Sequence, residues 1–463
     1  MRFAKRLAAL AAAVTLGAAA PADPLAVAAA ANGHPALRHV RGTTTRAIEG
    51  RRAVETLDQQ GTTRVFRRCV AEVCSGSWFD GTHRWAFGLN EVPLPDEDAS
   101  LPAWRTLAAI SSFAFAEPGF RAAGGSVEAA GRDAWLVRAR GGDPLIARLD
   151  PVTHLLRSVA TEHGREIQSY RRYVRTEGAA FALERHGELE EFTLETASAP
   201  AEPLQPPAGA AVSFAGDGFA ALGTDAVPIV PCTLGGRAAR CLIDTGATPS
   251  AVVLPLAEAL GLEPRGELEI AGFSRFATGF VEAGPLTFGA ARFARARFAV
   301  IPAVSAARFD VVIGADLLGE VRVVLDRARG RAQIAAPHGG PHGGGVALHF
   351  VGGVPHVEVT LDGRTASALF DSGDASVVSL GYAEYRVGPQ WPVVDRGQAV
   401  GVAGGTDAFF VTIPDVRLGP VLLGAARATV SRTQREPHVG AGLGTKCVIE
   451  LDEAAGTLGC TPR

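Results

Sequence analysis

Two aspartates in this chain lie in two separate segments of similar sequence. Paired carboxyl groups can perform acid–base chemistry. Residues Val227–Gly246 read VPIVPCTLGGRAARCLIDTG, and residues Val354–Gly373 read VPHVEVTLDGRTASALFDSG. The two segments align without a gap at an offset of 127 residues, with 11 of 20 positions identical, and Asp244 aligns with Asp371. A duplicated unit that supplies one carboxylate per copy can form a shared site of the kind that hydrolyses peptide bonds.

The similarity between the two copies continues downstream of each aspartate. The first copy contains Val312-Ile313-Gly314-Ala315, and the second contains His438-Val439-Gly440-Ala441. Twelve residues after the glycine of each motif comes a second aspartate, Asp326 or Asp452, which begins an Asp-x-x-x-Gly sequence. Because the period is as long as a domain, we interpret the pattern as a duplicated lobe rather than as a solenoid of short repeats.

These motifs, an apolar pair before Asp-Thr/Ser-Gly and a later apolar-apolar-Gly, resemble those of the aspartic peptidase family. The family includes two-lobed enzymes of the pepsin type and single-lobed enzymes of the retropepsin type. The resemblance covers about residues 215–463. It implies a mostly β chain with two duplicated β-barrel lobes, and an endopeptidase in which Asp244 and Asp371 are the catalytic dyad. His438, at the first apolar position of the second motif, departs from the family pattern.

Four residues beside the aspartates match supporting positions of the family motif. Thr245 and Ser372 supply hydroxyl groups that, in the family, hydrogen-bond across to the opposite loop and hold the carboxyl groups coplanar. Gly246 and Gly373 let the backbone approach closely in a tight turn. A single Asp-Thr-Gly is more often a turn with an Asx hydrogen bond, so the duplication is what favours a dyad.

Asp374 is a second departure from the family pattern. It follows Gly373 at a position where the family usually has Ala, Ser or Thr, and the first copy has the usual Ala247. A third carboxylate beside the dyad would disfavour ionisation of its neighbours. It would then raise the working pH or remove this lobe from catalysis. The alternative is a side chain that points to solvent.

A substrate flap is expected between each aspartate and its downstream glycine. The flap candidates are Gly272, Phe273, Gly404 and Gly405. A glycine-rich hairpin tip can close over a peptide and exclude water. The flap tyrosine of pepsin-type enzymes is absent, and Phe273 or Phe276 is the candidate for its packing role.

Composition limits the partners of this chain of 463 residues. Its net charge of −3 provides no basic surface for nucleic acid. We expect a polypeptide substrate, no cofactor, and a monomer, because duplication replaces the dimer of single-lobed relatives. His338, His342 and His349 lie in or just after a glycine-rich segment, which we interpret as a tether rather than a metal site.

The N-terminus has the pattern of an export signal, which we predict for residues 1–22. Basic residues precede the apolar run Leu7–Ala20, and the small residues 20–22 are the expected cleavage site, with the run at 28–31 as a second option. An uncleaved membrane anchor is the alternative. The protein is therefore expected in the periplasm or outside the cell.

Six cysteines agree with export. They fall into three close pairs, Cys69 with Cys74, Cys232 with Cys241, and Cys447 with Cys460. Six cysteines allow 15 pairings, and the turn residues between the close pairs favour local bonds. Oxidised pairs suit a periplasm or the cell exterior.

Three folded regions are expected. A β-rich N-terminal domain at residues 33–196 precedes a Pro/Ala-rich linker at 197–211. Lobe 1 at 212–335 and lobe 2 at 346–463 are separated by a Gly-rich linker at 336–345. The N-terminal domain weakly resembles the half-barrels of periplasmic lipoprotein carriers, which would imply a lipid or lipoprotein ligand. An unrelated accessory or inhibitory β domain is the alternative.

A rival function is a non-catalytic peptide- or lipoprotein-binding protein built on a degenerate peptidase scaffold. Asp374 and the missing flap tyrosine favour this rival. Carboxyl groups of Asp244 and Asp371 within hydrogen-bonding reach would favour the enzyme. A third hypothesis makes the N-terminal domain a regulatory pro-segment. The sequence leaves the cleavage specificity, the pH optimum and the physiological substrate open.

Overall fold

The chain is mostly β-structure. The predicted signal segment and the flap candidates Gly272 and Phe273 lie outside the residues that can be described. Within the described ranges, no helix combines the length and apolar character needed to cross a bilayer. The structure is a computed structural model that describes residues 23–33, 39–48, 51–70, 72–200, 202, 204–271, 275–302, 308–338, 345–401 and 404–462.

The N-terminal region consists of two antiparallel sheets of seven strands each. The first contains β1 (His39–Ile48), β2 (Arg51–Gln60), β3 (Thr63–Val70), β4 (Val73–Phe79), β5 (Arg84–Phe87), β6 (Leu94–Pro95) and β14 (Thr196–Ser198). The second contains β7 (Ser126–Gly131), β8 (Ala134–Arg138), β9 (Leu145–Leu149), β10 (Leu156–Thr161), β11 (Glu166–Thr176), β12 (Ala179–Gly187) and β13 (Phe192–Thr193). Strand β14 pairs with β1, so the first sheet extends into the predicted linker at 197–211.

Among the described residues, three α-helices accompany these sheets, α1 (Pro24–Asn32), α2 (Leu101–Ser111) and α3 (Pro118–Ala122). Leu107 and Ile110 of α2 are fully buried against Val137 and Leu145 of the second sheet. Their spacing of three residues places both on one face of the helix. This apolar face is what holds α2 against the sheet.

A buried charge cluster lies between the two N-terminal sheets. The side chains of Arg64, Arg185 and Glu190 are each at most 3% exposed. Glu190 bonds to Arg64, and its second oxygen lies 3.3 Å from a guanidinium nitrogen of Arg185. Gln59 accepts a further hydrogen bond of 3.0 Å from Arg185. The cavity beside Arg185 measures about 10 Å³, which is room for about one water molecule and too little for an acyl chain in this conformation.

The first repeat forms a sheet of ten strands. They are β15 (Val212–Phe214), β17 (Ile229–Leu234), β18 (Arg237–Ile243), β19 (Ala251–Val253), β20 (Arg265–Ala271), β21 (Arg275–Ala283), β22 (Leu286–Phe288), β23 (Ala291–Phe293), β24 (Ala296–Ile301) and β25 (Val311–Ile313), with helices α4 (Leu254–Ala259) and α5 (Ala315–Leu318). The order is β15-β23-β22-β17-β18-β25-β19-β24-β21-β20. Strand β18 therefore lies in the interior of the sheet.

The second repeat belongs to a sheet of thirteen strands. Three of its strands come from the first repeat: β16 (Phe219–Ala221), β26 (Arg322–Asp326) and β27 (Arg331–Ala335). The other ten are β28 (Val346–Val351), β29 (Val354–Leu361), β30 (Arg364–Asp371), β31 (Val378–Gly381), β32 (Val393–Gly401), β33 (Gly404–Leu418), β34 (Val421–Ser431), β35 (His438–Gly440), β36 (Cys447–Asp452) and β37 (Thr457–Pro462), and helix α6 (Tyr382–Val387) follows β31. The order is β16-β27-β26-β36-β37-β28-β29-β30-β35-β31-β34-β33-β32.

The two repeats use the same strand pairing around their aspartates. In the first repeat β18 is parallel to β25, and β25 is antiparallel to β19. In the second repeat β30 is parallel to β35, and β35 is antiparallel to β31. Asp371 is thereby in register with Gly440, and Asp244 follows Ile243, which is in register with Ile313. Each aspartate therefore stands at the end of a strand beside its downstream glycine.

The repeats are joined by a sheet and by a shared core. Strand β26 of the first repeat pairs with β36 of the second, with Val323 opposite Leu451 and Leu325 opposite Ile449. All four side chains are at most 4% exposed and belong to one apolar cluster that extends through both repeats. Because the cluster is continuous, the repeats bury apolar surface against each other as well as within themselves.

Three disulfides connect neighbouring strands. The local pairing predicted from the sequence is confirmed, with bonds Cys69–Cys74, Cys232–Cys241 and Cys447–Cys460. Each bond joins two strands that follow one another along the chain, β3 to β4, β17 to β18 and β36 to β37. These bonds are compatible with a secreted or periplasmic protein.

A segment of the N-terminal region that includes strand β6 contacts both repeats. Asn90 accepts a hydrogen bond of 2.7 Å from the Arg297 N–H of the first repeat. The Glu97 N–H donates to the Phe350 carbonyl of the second repeat over 2.6 Å. Between them Leu94 is 5% exposed and packs on both repeats. The N-terminal region is therefore docked on the pair of repeats through both polar and apolar contacts.

A buried carboxyl group at this junction predicts a pH dependence. Glu453 is 3% exposed, and neither carboxyl oxygen has a hydrogen-bond partner among the described residues. Burial, and then the charges of Asp316 and Asp452, raise the pKa of Glu453 to about 8 from its ordinary 4.5. Between these two pKa values the folded state keeps a proton that the unfolded chain releases. The contribution of Glu453 to stability is therefore complete below the unfolded pKa of 4.5 and is lost as the pH rises through the folded pKa of about 8.

The expected result is a fall in thermal stability of the wild-type protein between about pH 5 and pH 8, by up to about 1.4 kcal/mol per pH unit. Glu453→Gln keeps the shape and removes the titration, so its stability should change less over the same range. Thermal unfolding of both proteins at matched ionic strength measures this difference. If the stability of the two proteins changes with pH in the same way, Glu453 is not the source of the pH dependence.

Candidate active site

The two aspartates are held at the ends of buried strands. Asp244 directly follows β18, and Asp371 is the last residue of β30. The residues before them, Ile243 and Phe370, are each 1% exposed. These apolar side chains anchor the strands in the core, and the aspartates are the first partly exposed side chains beyond them.

A reciprocal set of hydrogen bonds joins the two aspartate loops. The Thr245 hydroxyl donates to the Phe370 carbonyl and accepts from the Ser372 N–H over 3.0 Å. The Ser372 hydroxyl donates to the Ile243 carbonyl over 2.8 Å and accepts from the Thr245 N–H over 3.0 Å. Both side chains are at most 1% exposed. Since each hydroxyl both donates and accepts, no polar group of this bridge is left unpaired.

The two glycines allow the carboxyl groups to approach the opposite loop. The Gly246 N–H donates to Asp244 Oδ1 over 3.1 Å, and the Gly373 N–H donates to Asp371 Oδ1 over 2.9 Å. A β-carbon on Gly246 would lie 2.6 Å from Cγ of Asp371, and one on Gly373 would lie 2.6 Å from Cγ of Asp244. Any side chain at either position would collide with the carboxyl group of the other repeat.

The carboxyl groups of Asp244 and Asp371 lie within hydrogen-bonding reach of each other. Burial, then the charge of Asp371 and the hydrogen bond to it, raise the pKa of Asp244 well above its ordinary value. Burial also acts to raise the pKa of Asp371, but the hydrogen bond and charge of His438, with a hydrogen bond from Asp244, hold it below its ordinary value. One carboxyl group therefore favours the protonated form and the other the ionised form.

The sequence analysis did not predict the contact between His438 and Asp371. Its Nδ1 lies 3.3 Å from Oδ2 of Asp371, and the two side chains are 18% and 20% exposed. A signal was present, because this histidine replaces an apolar residue two positions before Gly440. In a strand, residues two positions apart face the same side. Since Gly440 is in register with Asp371 on the neighbouring strand, a polar residue at position 438 lies on the face of the aspartate.

A carboxylate organises the backbone behind the Asp244 loop. Asp316 is 2% exposed, and its Oδ1 accepts from the Ser250 hydroxyl over 2.6 Å and from the Ser250 N–H over 2.9 Å. The same hydroxyl accepts from the Gly314 N–H over 2.8 Å. Asn90 of the N-terminal region donates to the other oxygen of Asp316 over 2.7 Å. This network connects the docked N-terminal region to the loop that carries Asp244.

Asp374 supports the backbone of the second loop through its own bonds. Its Oδ1 accepts from the Ser376 N–H over 2.8 Å, and its Oδ2 accepts from the Ser379 hydroxyl. Its carbonyl accepts from the Ala441 N–H over 2.7 Å. The second repeat has Gly442 where the first has Asp316, so each loop has one supporting carboxylate from a different place in the chain. The side chain neither displaces an aspartate nor points freely to solvent.

The predicted flap segments lie at two hairpins. Strands β20 and β21 pair up to Ala271 and Arg275, and the flap candidates Gly272 and Phe273 between them lie outside the described residues. Strands β32 and β33 pair up to Gly401 and Gly404, and Gly405 is opposite Val400. Gly404 has a φ of +116°, a conformation that few residues other than glycine adopt. Val400, beside this tip, is 63% exposed.

The histidines near the interlobe segment are separated in the fold. His338 lies beside Asp452 and Glu450, whereas His349 hydrogen-bonds to Ser367. His342 lies outside the described residues. Among the residues that are described, no group of three or more His, Cys, Asp or Glu side chains is arranged to hold a metal ion.

Comparison with known proteins supports one part of this interpretation. Residues 230–317 match the sequence model of a family described as aspartyl protease. The matched segment includes Asp244, Ser250, Gly314 and Asp316. Among curated proteins, none matches this chain. Residues 230–317 are therefore an aspartic-peptidase-like region.

Proposed function

We propose that this protein is an exported aspartic endopeptidase with two lobes and one shared dyad, Asp244 and Asp371. One observation carries the proposal, the reciprocal bonding of Thr245 and Ser372 that brings carboxyl groups from both repeats together. The family match reaches only the first repeat. The second repeat joins the proposal because it supplies the same motif and the same strand pairing.

The dyad can hydrolyse an amide through general acid–base catalysis. The ionised Asp371 removes a proton from a water molecule as the water oxygen attacks the carbonyl carbon. The protonated Asp244 donates its proton to the carbonyl oxygen. Collapse of the tetrahedral intermediate breaks the C–N bond as Asp371 gives its proton to the leaving nitrogen, and a hydroxyl of the intermediate returns a proton to Asp244. The products are a carboxylic acid and an amine, and the dyad again holds one proton.

The substrate in this proposal is an extended polypeptide that lies between the lobes. In the hairpins β20–β21 and β32–β33, strands β20 and β32 are the terminal strands of their sheets, and a terminal strand can pair with an extended peptide. The rival hypothesis of a degenerate binding scaffold depended on Asp374 and on the missing flap tyrosine. The bonds of Asp374 to Ser376 and Ser379 give this residue a supporting role instead, so the missing flap tyrosine is the remaining argument for the rival.

We also propose that the N-terminal domain remains part of the working enzyme rather than a removable pro-segment. Its contacts through Asn90 reach Asp316 behind the Asp244 loop, and Glu72 lies 3.1 Å from Arg265 at the start of β20. Export to the periplasm or the cell exterior is supported by the three disulfides. A monomer is sufficient, because one chain supplies both aspartates.

Cleavage of an unstructured protein tests the proposal. Wild-type protein should cleave casein at some pH between about 3 and 8, because one carboxyl group of the dyad must be protonated and the other ionised. A pepstatin-type inhibitor should block this cleavage, and chelators should not. Folded wild-type protein that cleaves casein at no pH in this range, with or without its N-terminal domain, would overturn the proposal.

A further inference from the structure

His438 breaks the symmetry of the two repeats at the proposed dyad. The equivalent position in the first repeat is Val312, which is 3% exposed and packs among apolar side chains. His438 instead places Nδ1 3.3 Å from Oδ2 of Asp371. The other oxygen of Asp371 accepts from the Gly373 N–H. Asp371 therefore has a partner for each oxygen within its own repeat, whereas Asp244 has no equivalent of this histidine.

We propose that His438 is a positioning residue that keeps Asp371 as the ionised member of the dyad and leaves the shared proton on Asp244. This inference rests on the proposed peptidase function for its catalytic consequence, but the contact itself can be tested without any activity. A cation next to one of two equivalent carboxyl groups removes their equivalence. The water molecule would then be activated from the side of the second repeat.

Other charged groups lie near His438. On its own segment Glu436 acts on it electrostatically, and Glu436 is itself bonded to His356 over 3.0 Å. On the neighbouring strand β31, the residue in register with His438 is Ser379, which donates to Asp374.

Because the carboxylates of Glu436 and Asp374 have other partners, the main contact of His438 with a carboxylate is the one with Asp371. The Glu436 carboxylate already has His356 as its partner, and the Asp374 carboxylate is bound by Ser376 and Ser379. Removing His438 therefore changes the charge next to Asp371 without creating a new ion pair from these groups.

The direction of the effect on catalysis follows from the sign of the charge. A protonated His438 favours the carboxylate of Asp371, so the dyad reaches its singly protonated form at lower pH. His438→Val restores the residue of the first repeat and suits a β-strand. The acid limb of kcat/KM should move to higher pH in this variant. We expect activity to fall about tenfold on the acid limb, a shift of about one pH unit.

Two further variants separate charge from structure. His438→Gln retains a hydrogen-bond donor without a positive charge, so it should shift the acid limb as His438→Val does if the charge is responsible. His349→Val makes the same substitution in the same repeat, at a histidine that bonds to Ser367 and not to the dyad. This control should leave the acid limb in place. An unchanged acid limb in both position-438 variants would overturn the proposal.

Carboxyl ¹³C NMR keeps the test independent of catalysis. Protein labelled at the aspartate carboxyl carbons is titrated, and the Asp371 signal is assigned by its loss in Asp371→Asn. Its midpoint should move to higher pH in His438→Val and remain in place in His349→Val. If the wild-type protein cleaves nothing but this midpoint moves, the peptidase function is wrong and the role of His438 stands. If cleavage occurs and the midpoint does not move, the peptidase function stands and the proposed role of His438 is wrong.

Discussion

Asp371→Asn is expected to abolish casein cleavage, with a fall in kcat of about 10²- to 10⁴-fold, the range for loss of a general acid or base. An amide in place of the ionised carboxylate cannot accept a proton from water. Asp244→Asn should have a comparable effect, because an amide has no acidic proton for the carbonyl oxygen. Both variants retain an oxygen that can accept the neighbouring glycine N–H bond, so the loops should keep their shape.

The chain offers a matched control for these substitutions. Asp374→Asn makes the same change three residues after Asp371, in a carboxylate that bonds to Ser376 and Ser379. The amide oxygen can keep one of these bonds, so most activity should remain. Steady-state kinetics with a quenched peptide measures all three variants. A shared dyad is excluded if Asp244→Asn or Asp371→Asn cleaves at the wild-type rate. If Asp374→Asn is as inactive as the two dyad variants, Asp374 is also required for catalysis.

Glu190→Gln is expected to destabilise the N-terminal domain by about 3–5 kcal/mol, the cost of removing one partner from a buried ion pair. Glu190 is the partner of both Arg64 and Arg185. Burial lowers the pKa of Arg64 from its ordinary value, and the charge of Glu190 opposes that shift. Without this carboxylate, two buried guanidinium groups would face each other with no anion between them.

The neighbouring residue provides the comparison. Glu191 is 69% exposed at its side chain and pairs with His186 at the surface, so Glu191→Gln should change stability little because solvent screens such pairs. Urea unfolding, monitored by hydrogen exchange of the backbone amides in β12, gives the unfolding midpoint of the domain that contains both residues. Equal midpoints for the two variants would show that the buried cluster is not a source of stability.

The sequence by itself determined the local chemistry of the site. Duplication with Asp-Thr-Gly and Asp-Ser-Gly predicted which two aspartates to compare, because the motif is short, contiguous and repeated. The mostly β class followed from short apolar runs between turn residues, and the local disulfides followed from cysteines that flank tight turns. All of these depend on residues close together in the chain.

Only the tertiary structure decided how distant residues meet. His438 lies 67 residues after Asp371 in the sequence but beside it in the fold, because β35 pairs in parallel with β30. Asp374 was expected next to the dyad or in solvent, and instead binds two serines behind the loop. The contact of Asn90 with Asp316 crosses 226 residues. Such contacts depend on strand register and docking across the whole fold, which the order of residues along one segment does not contain.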